Sequence, residues 1–131
     1  MAEDNLPDVL LVREAIRLEE LPVNVHVASD GEAAIQFIAT AESDPGAPCP
    51  DLVLLDINLQ KADAFQVLQR LHASAKCRGA PVLVFTSSDS PSDRSQTDEL
   101  GAGYFQKPAS YDEFMKLGGV LRKMLRDLGW S

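Results

Sequence analysis

At 131 residues the chain has room for one hydrophobic core, and its 45% hydrophobic and 24% charged residues are ordinary for a globular protein. A formal net charge of −8, with no basic stripe, argues against nucleic acid as a partner. No apolar run is long enough for a membrane span, and the acidic start Met1-Ala2-Glu3-Asp4 lacks the basic and apolar regions of a signal peptide, so a cytoplasmic protein is expected.

The predicted elements begin with a helix over residues 7–20. Asn5 can cap it, Pro7 suits its first turn, and Leu6, Leu10 and the stretch to Leu18 keep a helical rhythm. A strand at residues 9–12 is the competing reading, but the helix it leaves, residues 15–20, is too short to cross a sheet. The helical reading leaves no strand ahead of it. Residues 23–28 then read as a strand, and Ala33, Ala34, Phe37 and Ile38 form an apolar helical stripe after Asp30-Gly31. Residues 42–50, with Pro45, Gly46, Pro48 and Pro50, read as a loop.

Strands follow at residues 52–56, 81–86 and 104–106. Leu52-Val53-Leu54-Leu55 and Val82-Leu83-Val84-Phe85 are continuously apolar, as in parallel strands covered on both faces. Phe65, Leu68 and Leu71 mark an intervening helix. Ser90-Pro91 starts another, which Gly101 closes. A last helix carries Phe114, Leu117, Leu121, Leu125 and Leu128, a stripe that could include a homodimer face. This alternation is a doubly wound α/β domain. Cys49 and Cys77, far apart in sequence, are expected to be plain thiols, and His26 and His72 are too few for a zinc site or a histidine-based triad.

In an open α/β sheet, ligands bind beyond the carboxyl ends of the strands. Asp56, Thr86-Ser87 and Lys107-Pro108 stand at such ends, and Glu3-Asp4 precede the first helix. Carboxylates gathered at one edge repel unless a hard cation joins them, and Mg²⁺ prefers oxygen ligands. A lysine and a hydroxyl beside them supply what a transferred phosphoryl group needs.

With these residues in view, the sequence resembles the receiver domain of two-component response regulators. The pieces are Glu3-Asp4-Asn5, Ala28-Ser29-Asp30-Gly31-Glu32-Ala33, Asp51 through Leu59, Phe85-Thr86-Ser87 and Gly101 through Pro108, spread over nearly the whole chain. The loop before Asp51 and the ending Leu128-Gly129-Trp130 resemble stand-alone receivers paired with phytochrome-type kinases. The resemblance implies a mainly parallel, five-stranded, flavodoxin-like sheet with helices on both faces, its first strand missing or truncated, in one receiver domain without an output domain.

It also implies site roles. Asp56 would take a phosphoryl group from a sensor histidine kinase or phosphotransfer protein. Glu3, Asp4, Asp56 and the backbone carbonyl of Asn58 would hold Mg²⁺. Lys107 and Thr86 would contact the phosphoryl oxygens, Tyr104 would change rotamer with Thr86, and Lys107-Pro108 would be a cis peptide. A downstream protein would read the changed surface. Gln60 and Ala64 depart from the proline and glycine usual in the family, and the absent first strand departs further, leaving backbone groups in the sheet centre to be paired some other way. Two other readings stay open: a receiver-shaped interaction module that works without phosphorylation, and an aspartyl phosphohydrolase. Asn58 argues against the latter, since such enzymes place a second acid there.

Overall fold

The structure, a computed structural model, describes residues 1–57, 64–87 and 90–129. Helix α1 spans Leu6–Leu18, with Asn5 as its cap: the Asn5 side chain accepts from the Asp8 N–H, and Pro7 fills a first-turn position whose N–H has no helical partner. Helix α2, Gly31–Ser43, starts on Asp30, whose side chain accepts from the Ala33 N–H. Strand β1 is Val53–Leu55, α3 is Ala64–Ala73, β2 is Val82–Thr86, and α4 is Pro91–Glu99 with Ser90 as its cap. Strand β3, Gly103–Gln106, and helix α5, Tyr111–Asp127, complete the described elements.

The three strands are parallel in the order β1-β2-β3, with Leu55 opposite Val84 and Thr86 opposite Gln106. Alternation along the strands splits the core in two. Leu54, Leu83 and Phe85 face α1 and α5, meeting Val12, Phe114, Leu117 and Leu121. Leu55, Val82 and Val84 face α2 and α3, meeting Ile38, Val67, Leu68 and Leu71. The expected α/β architecture, helices on both faces of a parallel sheet, is therefore present. The stripe from Phe114 to Leu125 is spent on this core, leaving Leu128 exposed.

The missing first strand is partly replaced by the first three residues. Ala2 bridges in parallel to both Ala28 and Leu55. Its N–H donates to Leu54 O at 2.8 Å, and its carbonyl accepts from the Asp56 N–H at 3.0 Å. Glu3 N–H donates to Ala28 O at 3.0 Å, and Ala28 N–H to Met1 O at 2.8 Å. Residues 1–3 thus lie between Ala28 and Leu55 as isolated bridges beside the three-stranded sheet. Residues 23–27, the bulk of the strand expected over 23–28, are neither helix nor strand; beyond Ala28, residues 1–3 reach them only where the Met1 nitrogen donates to His26 O.

Two other expectations are corrected. Cys49 and Cys77 are joined in a disulfide, with Cα atoms 5.3 Å apart. Lys76 explains the approach: its ammonium donates to Ala41 O at 2.7 Å and Ala47 O at 2.8 Å, folding the proline-rich loop back onto the end of α3, beside the buried Cys77. The Lys107-Pro108 bond is trans rather than cis. Trans is preferred by about 0.5–1 kcal/mol for any X-Pro bond, and in this form Lys107 N–H already reaches Thr86 O at 2.6 Å.

Helices α1 and α5 touch at Gly118. A Cβ there would stand 2.8 Å from Ala15 O and 2.6 Å from Glu19 Cγ. The glutamate can move aside, but the backbone carbonyl cannot. Gly118→Ala should therefore lower stability by about 1–3 kcal/mol, despite alanine's better helix propensity, as a urea titration will read. A gain in stability would show that α1 moves freely over α5.

Candidate phosphoryl and metal site

The carboxyl ends of the strands converge as the sequence suggests. Asp56 follows β1 directly and is buried, held in place by its N–H bond to Ala2 O. Glu3, also buried, arrives from the other side of Ala2 and accepts from Asn5 N–H at 3.1 Å. Asp4 stays exposed at the rim. One carboxylate oxygen from each of Glu3, Asp4 and Asp56 lies within 4.8 Å of the others.

Lys107, just past β3, sends its ammonium into this group. It donates to Glu3 Oε2 at 2.9 Å, Asp56 Oδ2 at 3.0 Å and Asp8 Oδ2 at 2.8 Å. The same nitrogen lies 4.6 Å from the ring centroid of Phe85, whose face favours a cation. Asp8 was missed by the sequence reading, although its signal was present. It lies on the first turn of α1, four residues past Asp4, and so one helical turn from the acidic pair.

Electrostatics follow from this crowding. Burial, reinforced by the charge of Asp56 and opposed by Lys107, raises the Glu3 carboxyl from its ordinary 4.5 to about 7. Burial disfavours the Lys107 ammonium, but its hydrogen bonds to Asp8, Glu3 and Asp56 outweigh that and raise its pKa above the usual 10.5. The site gathers four carboxylates, Glu3, Asp4, Asp8 and Asp56, near one ammonium. Its donors are hard oxygens, partly exposed on the Asp4 side, which fits a Mg²⁺-like ion that keeps several waters.

Thr86, the last residue of β2, is fully buried on the strand next to Asp56, and its carbonyl holds the Lys107 backbone. Tyr104 in β3 is half-buried against the α3-side core, with the Arg94 guanidinium 5.2 Å from its ring centroid. Asn58 and Gln60 lie outside the described residues. Ala64 begins α3 and is buried, so the side chain that replaces the expected glycine is accommodated in the core. No described helix is long and apolar enough to cross a membrane.

Comparison with known proteins gives a consistent picture. The family model described as the response regulator receiver domain matches residues 1–117. Response regulator Rcp1 from Synechocystis sp. is 29% identical over 118 residues, covering 89% of this chain and 80% of that protein. The structure of the phosphorylated cyanobacterial phytochrome response regulator RcpA superposes with a TM-score of 0.84 at 28% identity, covering 95% of this chain and 90% of the other. The Mn²⁺-bound form of Rcp1 superposes with a TM-score of 0.82 at 28% identity, covering 93% and 88%.

Proposed function

The chain belongs to the response regulator receiver domain family, with phytochrome-associated regulators among its relatives, and on that premise we propose that it is a phosphorylation switch centred on Asp56. The observation that carries this reading is the buried Asp56 carboxylate, 3.0 Å from the Lys107 ammonium and clustered with Glu3 and Asp4.

Asp56 attacks the phosphorus of a phosphohistidine on a sensor kinase or phosphotransfer protein. The P–N bond breaks, the imidazole leaves, and Asp56 becomes a mixed anhydride that water later hydrolyses. Glu3, Asp4 and Asp56 would hold Mg²⁺, with the Asn58 carbonyl as a further donor, and the ion would neutralise phosphoryl charge. Lys107 exchanges its bond to Asp56 for one to a phosphoryl oxygen, and the Thr86 hydroxyl donates to another. As Thr86 turns toward the phosphoryl group, Tyr104 changes rotamer, and the surface of α4, β3 and α5 is what a downstream protein reads. The role is signalling by contact, with self-catalysed phosphorylation and dephosphorylation as its only chemistry.

A Mn²⁺-bound relative and a phosphorylated one support both halves of this reading. The test is incubation with acetyl phosphate, with and without Mg²⁺, followed by intact mass. Wild type should gain one phosphoryl group only with Mg²⁺, and Asp56→Asn none. Folded protein that gains nothing would instead favour the interaction module that works without phosphate. The incomplete sheet centre is the feature pointing that way.

A further inference from the structure

The ammonium of Lys107 donates to three carboxylates, and these partners are not alike. Glu3 and Asp56 also belong, with Asp4, to the trio whose oxygens converge on the candidate ion site. Asp8 accepts at 2.8 Å and stands outside that trio. Phosphorylation of Asp56 removes one of the three bonds, because a phosphoryl oxygen takes its place. A divalent cation on Glu3 and Asp56 repels the ammonium and competes with it for the same oxygens. Only the bond to Asp8 is untouched by either event.

Local structure prepares Asp8 for this part. It is the third residue of α1, and its backbone is fixed by the cap, since the Asn5 side chain accepts from the Asp8 N–H at 3.1 Å. A carboxylate at this third position can turn back to the N–H of the cap residue. Here that N–H is already taken: Asn5 N–H donates to Glu3 Oε1 at 3.1 Å. The Asp8 carboxylate reaches across to Lys107 instead, from the positive end of α1, which favours its charge. Its side chain is 19% exposed and that of Lys107 10%, so solvent and salt screen their bond less than they screen a surface pair. The ring of Phe85 bounds the ammonium on a further side. Asp8 and Phe85 thus hold the lysine head without drawing on the oxygens that an ion would use.

We infer that Asp8 is a positioning residue for phosphoryl transfer: it keeps the Lys107 ammonium beside Asp56 while the other acids hold the ion, so that the incoming phosphoryl oxygen meets the ammonium already in place. This rests on the reading of Asp56 as the phosphoacceptor. Asp8 itself touches neither the phosphoryl group nor the ion and acts only through Lys107. Without it, a cation on Glu3 and Asp56 drives the ammonium toward solvent, and the lysine must be brought back before it can neutralise developing charge. Its contribution then falls with the fraction of molecules in which it is aimed correctly.

The test measures phosphoryl uptake from acetyl phosphate at rising Mg²⁺ in wild type and in Asp8→Ala. Beside it, proton exchange of the isotope-labelled Lys107 ammonium is read by NMR with Mg²⁺ and no phosphodonor. Uptake at saturating Mg²⁺ should fall about 10-fold in Asp8→Ala, a part of the loss expected when the lysine charge itself is removed. With Mg²⁺ present the wild-type ammonium should exchange slowly, and that of Asp8→Ala at least about 10-fold faster. An unchanged saturating rate that merely needs more Mg²⁺ overturns the proposal and makes Asp8 an accessory of the ion site. So does a wild-type ammonium that exchanges as fast as that of the exposed Lys123, a result that needs no variant. In folded Lys107→Met, adding Asp8→Ala should slow uptake no further, and a further 10-fold loss counts against action through the lysine. Wild type that takes up no phosphoryl group overturns the phosphoacceptor reading and this one with it. Wild type and Asp8→Ala phosphorylated at equal rates overturn this one alone.

Discussion

Replacing Lys107 with methionine should cost the fold about 3–5 kcal/mol at pH 7.5, the range expected when one member of a buried ion cluster is removed. Methionine keeps the length and packing of the stem, so the loss isolates the charge. What remains is Glu3 and Asp56, both buried, facing Asp8 with no cation between them. Urea unfolding measures the cost. A loss below about 1 kcal/mol would mean that water already reaches the cluster and the three bonds are worth no more than surface pairs. The same variant should slow phosphoryl uptake from acetyl phosphate by roughly 100-fold, as loss of one preorganised charge on a developing anion commonly does. Asp8→Asn is the contrasting case. Lys107 keeps its two buried partners and the crowd of acids is thinned by one, so stability should change by no more than about 0.5 kcal/mol.

The second large effect concerns pH. Glu3 titrates near 7 in the folded chain and near 4.5 when unfolded, so the folded state holds its proton longer. Stability from this group is fully present below pH 4.5 and is lost as pH rises through 7, a fall on the order of 3 kcal/mol. Lys107 adds no slope in this window, since its folded pKa lies above its ordinary value and its contribution persists until strongly alkaline pH. Metal-free protein should therefore be more stable to urea at pH 5 than at pH 7.5. Mg²⁺ should remove most of that difference, because it binds the ionised cluster of the folded chain and stabilises by mass action. Equal midpoints at the two pH values without metal would show that Glu3 is better solvated than its burial indicates.

What could be read from the chain alone followed from local chemistry. Asn5 and Ser90 announced two helix starts because capping needs only a side chain and a nearby N–H. Continuous apolar runs marked β1 and β2, and the acids, threonine and lysine just beyond the strands converged because parallel strands end on one edge. Apart from the Lys107-Pro108 bond, which is trans, the misses were long-range. The Cys49–Cys77 bridge depends on Lys76 pinning a loop 29 and 35 residues away, which no spacing rule encodes. Residues 23–27 have strand composition, but a strand exists only where a partner supplies the ladder. Asp8 was passed over as an ordinary first-turn acid, because its second role appears only when Lys107 arrives from 99 residues downstream.

The handful of bonds at Ala2 also decides where this domain opens first. Residues 1–3 carry Glu3 into the site and join the two sides of the sheet, yet they hold on through a few backbone bonds. Parting of those bonds would take Glu3 out of the acidic cluster and separate Ala28 from Leu55 in a single sub-global event. An ion seated on Glu3 and Asp56 would act as a clasp on those bonds, so occupancy of the site and cooperativity of the whole fold should rise and fall together.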